Sequence, residues 1–487
     1  KIGRTMIVRA PQQAARNPSD VIVIGGGILG CCHALEAAKR GLSVLLLERD
    51  DFGGATSWSS HRIIHGGLRY VQSLDFPRQL ESIRERRWFL ENFPRFVRPL
   101  PCLMPLYNRG LKRMSTLRAA LWINDALSAH RNNGLPESHY IPPGRMLSPA
   151  EVRDWFPGVV NAGLKGGALW HDAILVPPQR VLIEILRWAA NGGAVALNYM
   201  RAIEVARASA DSYVVHARDS VANCACEFRA TDVINCAGPW AAQLQSGNAQ
   251  GPAMSLAFSL VLNRPAVAKA AVAVSPGQRG HPMYFVVPYQ GKMLAGTAHL
   301  PCPPGKEKSC PTEEQISTFL KELNESLPGL EASIDHVLRV FSGLLPATAP
   351  DTGDTLNRPV LQSHPSSTPK SRFLTVWAVK YTTARAVAEQ VMQRFFPRLS
   401  VRPIQQPAPW EEIDLAVWNP PAHGSEPVFG EIVRRIEREE SVVHIDDLLL
   451  RRTDWGTLPD SCSAAREAVA PWLNARAASG PGVSTVS

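Results

Sequence analysis

The most constraining feature of the sequence is a strand–turn–helix–strand pattern near its start. Residues 20–24 (DVIVI) form a short apolar run rich in β-branched residues, which is typical of a parallel strand buried on both faces. The glycine-rich turn at residues 25–30 (GGGILG) follows directly, and a helical pattern at residues 33–40 ends at Gly41. Residues 43–48 (SVLLLE) form a second apolar run that ends on an acid. This order predicts a βαβ unit that binds a dinucleotide.

Each glycine of this turn has a separate physical task. Gly25 permits the tight turn, Gly27 lets a pyrophosphate approach the backbone, and Gly30 lets the helix pack closely on the strand. The helix N-terminus offers free N–H groups to the phosphates, and Glu48 is placed to accept hydrogen bonds from the adenosine ribose. The predicted cofactor residues of this unit are Gly25, Gly27, Ile28, Leu29, Gly30, Glu48 and Arg49.

Composition and charge set the broad class of protein. The 487 residues favour two or three domains, and 45% hydrophobic with 20% charged residues exclude a disordered chain. The formal net charge of +9 is spread along the sequence, so a solvated surface is its first interpretation. An anionic substrate or a membrane surface is the alternative, whereas no nucleic-acid-binding motif accompanies the charge.

Cysteine usage and hydropathy favour a cytoplasmic protein. The nine cysteines are odd in number and contain no CxxC pair, so we predict neither a metal site nor a disulfide framework. No run of about 20 apolar residues is present, which predicts no membrane-spanning helix. Residues 1–18 lack the apolar core of a secretory signal, and we predict an N-terminal tail at residues 1–19.

A segment rich in small and hydroxylic residues follows the acid. Residues 53–70 (GGATSWSSHRIIHGGLRY) can run close beside a large flat cofactor. The segment resembles the FAD-dependent glycerol-3-phosphate dehydrogenase family, whose matching stretch is approximately ATSSRSTKLIHGGLRYL. For His65, flavin contact competes with a role as a core histidine, and covalent flavin attachment is a lesser alternative. The resemblance implies cofactor contacts from Ala55, Thr56, Ser57, Ser60, Ile64, His65, Gly66 and Gly67.

Further motifs extend the resemblance along the chain. Residues 230–240 are similar to the family's VVNATGPW, residues 285–297 to FIPWEGRTLIGTT, residues 341–346 to YAGVRPL, residues 380–385 to GKLTTYR, and residues 441–453 to the C-terminal AVTLEDVLARRT. The chain is therefore identified as a divergent member of this family, within the D-amino acid oxidase-like superfamily of FAD oxidoreductases. These motifs add Ala237, Gly238, Trp240, Lys380, Tyr381 and Thr382 to the implied cofactor contacts.

The resemblance also implies the fold and the domain organisation. We expect an α/β protein with a Rossmann-like FAD-binding domain of the glutathione reductase type, a mostly antiparallel β-sheet substrate domain and a C-terminal helical cap. The FAD-binding domain is expected from residues 20–90, 150–250 and 335–400, the substrate domain from residues 91–149 and 251–334, and the cap from residues 410–475. The Pro-rich residues 402–409 are predicted to be a linker.

Matches to the family nominate the residues that act on the substrate. Arg69 and Tyr70 match substrate-contacting positions, and Arg358 is expected to match another. An arginine grips a phosphate or carboxylate through two parallel hydrogen bonds, although loop arginines are usually solvated. Lys380 matches a position beside the flavin and the substrate, where a cation favours the reduced flavin. A salt-bridged surface lysine is the alternative for Lys380.

Departures from the family bear on substrate and mechanism. Leu345 stands where the family has a phosphate-binding arginine, and Ser259 where it has a histidine proposed to transfer a proton. His299 replaces an aspartate and is a candidate proton acceptor, as is His281. Because one anion contact and the usual base are lost, glycerol 3-phosphate is expected to be a poor substrate, and a larger or less charged alcohol, or an amine, is a credible replacement.

Three functions remain open at this point. The first is a dehydrogenase or oxidase, with non-covalent FAD, that removes a hydride from a secondary alcohol bearing an anionic group. The second is an amine or amino acid oxidase, and the third is a flavin-binding protein without catalysis. Oxygen and quinone are both open as electron acceptors. Residues 111–123 form a basic amphipathic helix that we expect to pack on its own domain, with peripheral contact to the inner face of a membrane as the alternative.

Overall fold

The computed structural model describes residues 6–107, 114–244, 251–276, 283–302, 310–364, 370–407 and 420–474. The strands are β1 (Ser19–Ile24), β2 (Val44–Leu47), β3 (Ile63–Ile64), β4 (Val97–Leu106), β5 (Arg145–Leu147), β6 (Gly166–Leu175), β7 (Val195–Leu197), β8 (Met200–Ser209), β9 (Ser212–Asp219), β10 (Cys224–Asn235), β11 (Met254–Leu262), β12 (Ala271–Val274), β13 (Tyr284–Tyr289), β14 (Lys292–Cys302), β15 (Val337–Pro346), β16 (Val360–Ser363) and β17 (Phe373–Trp377). The helices are α1 (Pro11–Arg16), α2 (Ile28–Ala38), α3 (Arg69–Gln72), α4 (Phe76–Asn92), α5 (Met114–Leu127), α6 (Pro149–Trp155), α7 (Pro178–Asn191), α8 (Glu313–Ser326), α9 (Ala384–Phe395), α10 (Pro420–His423), α11 (Pro427–Glu439) and α12 (Pro459–Val469).

The first sheet contains the βαβ unit that the sequence predicts. Its strands follow the order β16-β17-β10-β1-β2-β7, and β8 and β9 continue it as an antiparallel extension of β10. Strand β1 pairs in parallel with both β10 and β2, so three apolar strands end at the same edge. Helices α2, α7 and α9 share one buried core with these strands. This is a Rossmann-like arrangement, and it directs the glycine turn and Glu48 to one edge of the sheet.

The second sheet is mostly antiparallel and faces the edge at which β1 and β10 end. Its order is β15-β11-β14-β13-β12-β4-β6-β3, with β5 added beside β6 and one parallel pair between β12 and β4. Strand β11 is buried along its whole length because β14 and β15 flank it on both sides. The α/β fold with two sheets and a C-terminal helical part is therefore confirmed.

Strand membership differs from the predicted domain segments at three places. Strands β3, β6 and β15 belong to the second sheet, although residues 20–90, 150–250 and 335–400 were expected to form the FAD-binding domain. Strand β3 pairs with β6, β6 pairs with β4, and β15 pairs with β11. The chain therefore crosses between the two sheets more often than the order of its motifs indicates. The crossings bring the segment after Glu48 and the segment around Leu345 to the same space between the sheets.

The N-terminal segment is packed rather than free over its described part. Ile7 is buried and its N–H donates to the carbonyl oxygen of Glu439. The Arg9 guanidinium lies 2.5 Å from the Asp219 carboxylate. Residues 6–17, expected to belong to a tail, thus join the first sheet to the C-terminal helices.

The C-terminal residues 420–474 form a small helical unit, here called the cap. Helices α11 and α12 and a π-helical turn at Asp447–Arg452 share a core that includes Phe429, Leu448 and Trp455. Buried ion pairs attach the cap to the body, from Arg180 and Arg187 to Glu440 and from Arg452 to Asp51. Residues 410–419 of the predicted cap, and part of the predicted linker, lie outside the described residues.

Helix α5 contains the described part of the predicted amphipathic helix. Leu117 and Leu121 are buried against the second sheet, whereas 73% of Trp122 is exposed, so Trp122 does not share their face. Residues 111–113 lie outside the described part of the chain. Within the described ranges, no helix is both long and apolar enough to cross a membrane.

Candidate functional site

A large cavity lies between the two sheets. Its volume is about 1940 Å³, and it extends from the ends of β1 and β10 to residues of β14 and β15. Gly25 and Ala237 line it from the first sheet, and Thr297 and Leu345 line it from the second. Residues 53–57 cross between these two walls and line the cavity along their length.

The glycine turn forms a cradle that tolerates no side chain at two positions. Gly25 has φ +105°, and a Cβ there would lie 2.5 Å from the carbonyl oxygen of Cys236. A Cβ at Gly30 would lie 1.8 Å from the carbonyl oxygen of Gly25. Gly27 is extended, precedes α2 and lines the cavity. The backbone and the N-terminus of α2 can therefore approach a pyrophosphate directly.

Glu48 ends β2 at the same edge of the sheet. Its Oε2 accepts a hydrogen bond from the Gly26 N–H at 2.6 Å, and its Oε1 accepts one from the Asp50 N–H at 2.9 Å. Burial raises the pKa of Glu48 to about 7, against the lowering effect of those hydrogen bonds. Next to it, the Arg49 guanidinium lies 3.6 Å from the Trp240 ring centroid, and both residues line the cavity. This end of the cavity fits a ribose and a flat base.

Two cations line the opposite part of the cavity without a carboxylate partner. Arg69 and Lys380 have no hydrogen bond or ion pair among the residues that the structure describes, and the Lys380 Nζ lies 4.4 Å from the Tyr70 ring centroid. Burial, with a smaller contribution from the charge of Arg69, lowers the pKa of Lys380 to about 8. Two such cations in one cavity are able to bind an anionic group.

His65 and Asp172 form a hydrogen-bonded pair beside these cations. His65 Nδ1 lies 2.9 Å from Asp172 Oδ2, and the His65 side chain is half exposed in the cavity. Burial alone would raise the pKa of Asp172, but the His65 hydrogen bond and the charges of His65 and Arg86 outweigh it and hold that pKa below its usual value. When His65 is neutral, an ionised Asp172 accepts the hydrogen on Nδ1, and the lone pair then lies on Nε2.

A second histidine of the same loop has a different environment. His61 Nδ1 lies 3.0 Å from the Ser259 hydroxyl, which in turn lies 3.3 Å from the Thr297 hydroxyl. Burial, followed by the charge of His65, lowers the pKa of His61 to about 3. The imidazole is therefore neutral at ordinary pH. His61 lies beside Ser259, which the sequence resemblance aligned with a histidine of the family. An imidazole is therefore present next to Ser259, but it comes from a different segment of the chain.

Most of the predicted site residues come together in the cavity, and four do not. The lining includes Gly25, Gly27, Ile28, Leu29, Glu48, Arg49, Ala55, Thr56, Ser57, Ser60, His65, Gly67, Arg69, Tyr70, Ala237, Gly238, Trp240, His299, Lys380, Tyr381 and Thr382. Gly30 and Gly66 lie behind the lining and serve close packing, and Ile64 is buried in β3. Arg358 is exposed and does not line the cavity, although Asn357 does.

His299, the described candidate base from the sequence, also lines the cavity. Burial, followed by the charge of Arg69, lowers the pKa of His299. His281 lies outside the described residues. Asp172 and His61 were not identified from the sequence, and the available signal for Asp172 was an acidic residue inside a mostly apolar strand, β6.

Comparisons with known proteins agree with this geometry. A family model described as FAD dependent oxidoreductase matches residues 20–391. A glycerol-3-phosphate dehydrogenase of Synechocystis sp. is 28% identical over 398 residues, which cover 78% of this chain and 70% of the relative. Glycerol-3-phosphate dehydrogenase 1 of Mycobacterium bovis is 30% identical over 490 residues, which cover 90% of this chain and 92% of the relative.

A solved structure shows the same fold over nearly the whole chain. The glycerol-3-phosphate dehydrogenase from Bacillus halodurans complexed with FAD superposes with a TM-score of 0.71 at 22% identity, covering 95% of this chain and 91% of that one. The cradle around Gly25 and Gly27, the carboxylate of Glu48 and the length of the cavity fit a bound FAD.

The pKa of Lys380 predicts that anion binding depends on pH. Only the charged amine attracts an anion, so the affinity for sulfate falls as pH rises through about 8, by ~10-fold between pH 7 and pH 9 if only the charged form binds. Sulfate is a suitable probe because it does not titrate in this range. Titration of the holoenzyme, followed by the flavin absorbance, measures the affinity at each pH.

The matched variants for this measurement are Lys380→Met and Lys292→Met. Lys380→Met is expected to bind sulfate weakly and with little dependence on pH, whereas Lys292 does not line the cavity and its replacement is expected to change neither. A wild-type sulfate affinity that stays constant from pH 7 to pH 9 would contradict the assignment of Lys380 to the anion site.

Proposed function

The chain belongs to the family of FAD-dependent oxidoreductases and is an enzyme with FAD as its cofactor, and we propose that it oxidises a secondary alcohol that carries an anionic group. The observation that carries the proposal is the placement of Arg69 and Lys380, which have no carboxylate partner among the described residues, in the same cavity as the His65–Asp172 pair. The cations bind the anionic group, and the histidine receives a proton. Positively charged side chains suit the binding of an anion, and an imidazole suits the acceptance of a proton.

The anionic group is proposed to be bound by Arg69 and Lys380. The Arg69 fork and the Lys380 ammonium face the cavity, and Leu345 contributes an apolar side chain at the wall formed by β15. A carboxylate or a phosphodiester offers two charged oxygens, which Arg69 and Lys380 can bind, whereas the third terminal oxygen of a phosphate monoester has no donor at Leu345. Glycerol 3-phosphate, the substrate in the names of the relatives, is therefore proposed to be a poor substrate here.

The proton of the substrate hydroxyl is proposed to move to His65 Nε2. FAD, when bound, supplies the acceptor for the hydride that leaves the substrate carbon. Asp172 orients the imidazole through Nδ1 and stabilises the imidazolium that forms. Asp172 is itself held by the Gly66 N–H at 2.7 Å and lies 3.4 Å from Arg86. His65 thus takes the catalytic part that sequence reasoning offered to His299.

Oxidation of an amine or amino acid remains the second candidate. The carboxylate of an amino acid also fits two cations, and a neutral His65 accepts a proton from an ammonium group as well as from a hydroxyl. The absence of catalysis, the third function considered from the sequence, is not supported, since the chain belongs to an enzyme family.

A quinone is proposed as the electron acceptor, because one part of the cavity is apolar. Met104, Leu117, Leu121 and Trp170 line it beneath α5, whose Trp122 is exposed toward solvent and is available for peripheral contact with a lipid surface. Stopped-flow measurement of the reduced enzyme should show faster reoxidation by a short-chain ubiquinone than by oxygen. Faster reoxidation by oxygen would contradict this part of the proposal.

Replacement of His65 tests the proton acceptor. His65→Asn is expected to lower kcat by ~10²–10⁴-fold, the usual contribution of a general base. Asp172→Asn should also lower kcat, because an asparagine no longer fixes the His65 tautomer that carries its hydrogen on Nδ1. Steady-state assays with a dye acceptor measure both.

The matched comparison is His299→Asn, which removes the other described candidate base. It is expected to lower kcat less than tenfold. A large loss in His299→Asn together with a small loss in His65→Asn would reverse the assignment of the two histidines.

Replacement of Leu345 tests the charge of the anion site. Leu345→Arg should improve the binding of glycerol 3-phosphate by ~1.5–3 kcal/mol, the range for a charge-assisted hydrogen bond. Leu345→Met keeps an apolar side chain of similar size and should change little. The measurement is kcat/KM for glycerol 3-phosphate with a dye acceptor.

Two outcomes would contradict the account of the substrate. A wild-type kcat/KM for glycerol 3-phosphate of about 10⁴ M⁻¹s⁻¹ or more would place it in the ordinary range for a physiological substrate. Equal kcat/KM values in Leu345→Arg and Leu345→Met would show that position 345 does not face the anion.

A further inference from the structure

The loop that lines the cofactor end of the cavity is held from both sides. On its inner side, the Gly53 N–H donates to the Gly26 carbonyl oxygen at 3.0 Å, and the Ser57 hydroxyl accepts from the Ile28 N–H at 3.0 Å. Residues 53–57 all line the cavity, whereas Asp51, Phe52 and Trp58 at the two ends do not. The two ends of the loop therefore face another part of the molecule.

That part is the cap, which contributes two consecutive arginines. The fully buried Arg452 binds the Asp51 carboxylate with both terminal nitrogens, at 2.5 and 2.8 Å. The neighbouring Arg451 guanidinium lies 4.5 Å from the Trp58 ring centroid. It also packs under the middle of the loop, where a Cβ added at Gly54 would lie 3.6 Å from its Nε. The cap thus contacts the beginning, the middle and the end of the loop.

Arg452 is itself fixed by contacts that do not involve the loop. The Arg452 Nε donates to the Glu440 carbonyl oxygen at 2.9 Å, and Glu440 is paired with Arg180 of the body at 2.7 Å. The Tyr199 hydroxyl donates to Asp447 Oδ1 at 2.5 Å. The cap is therefore docked on the body independently, and Arg452 reaches Asp51 from a fixed position.

We propose that the cap retains FAD by holding this loop closed, with Arg451 and Arg452 as positioning residues for the cofactor. None of the described residues beyond 384 lines the cavity, so the effect is indirect and acts through Asp51 and Trp58. The family model ends at residue 391, so the cap lies outside the part of the chain that it describes. A buried bidentate pair fixes geometry as well as charge, which is what a loop beside a pyrophosphate requires.

The rate of FAD release from the purified holoenzyme tests the proposal. FAD fluorescence rises as the cofactor leaves the protein, so release after dilution is followed directly, without any substrate. Arg452→Met is expected to release FAD at least tenfold faster than the wild type. Arg452→Lys should restore part of the retention because it keeps one charged donor, and Arg451→Met should show a smaller increase in rate.

Tyr199→Phe is the matched control, because it removes one bond between the cap and the body and leaves the arginines in place. It should lower the melting temperature but leave FAD release within about twofold of wild type. The proposal is overturned if Arg452→Met releases FAD no faster than Tyr199→Phe when both are measured at the same interval below their melting temperatures. If Arg452→Met does not fold, release from Arg451→Met at the wild-type rate overturns it.

Discussion

The close approach of α2 to β1 is the constraint on which the site depends. The carbonyl oxygen of Gly25 occupies the space that a Cβ at residue 30 would take, so helix and strand meet at a distance that only glycine allows. This contact aims the N-terminus of α2 and the end of β2, with Glu48, into one edge of the sheet. The loop after Glu48 then has to cross from that edge to the second sheet. Its continuation carries His65 and Arg69 to the far end of the cavity.

The distribution of partners separates structural charges from those available to a ligand. Arg385 is paired with Glu85 and Arg452 with Asp51, and each pair is buried and joins elements far apart in sequence. In the cavity, Arg69 and Lys380 have no carboxylate partner among the described residues. Removing a charge from water without a partner is costly, so burial lowers the pKa of Lys380, and an anion bound beside it would stabilise its charged form. The same cavity contains His65, which is hydrogen-bonded to Asp172 and which we propose as the proton acceptor.

The sequence was sufficient for the local parts of this arrangement. The strand, the turn and the terminal acid Glu48 were predictable because their spacing within about 30 residues determines their geometry. The Asp172 partner of His65 was not predictable, because it lies 107 residues away and only the pairing of β3 with β6 brings the two together. The membership of β15 in the second sheet and the burial of Ile7 depend in the same way on long-range pairing. Arg358 shows the converse case. Its position resembled a substrate-contacting position of the family, but the residue is exposed and does not line the cavity.

Anaerobic mixing of the purified holoenzyme with candidate donors tests the central claim most directly. Loss of the flavin absorbance reports reduction and requires no knowledge of the electron acceptor. The donors are secondary alcohols with a carboxylate or a phosphodiester, glycerol 3-phosphate, uncharged secondary alcohols, and amines with and without a carboxylate. The account predicts fast bleaching by singly charged anionic alcohols and slow bleaching by their uncharged counterparts. Bleaching by amines alone, or equal rates with charged and uncharged alcohols, would contradict it.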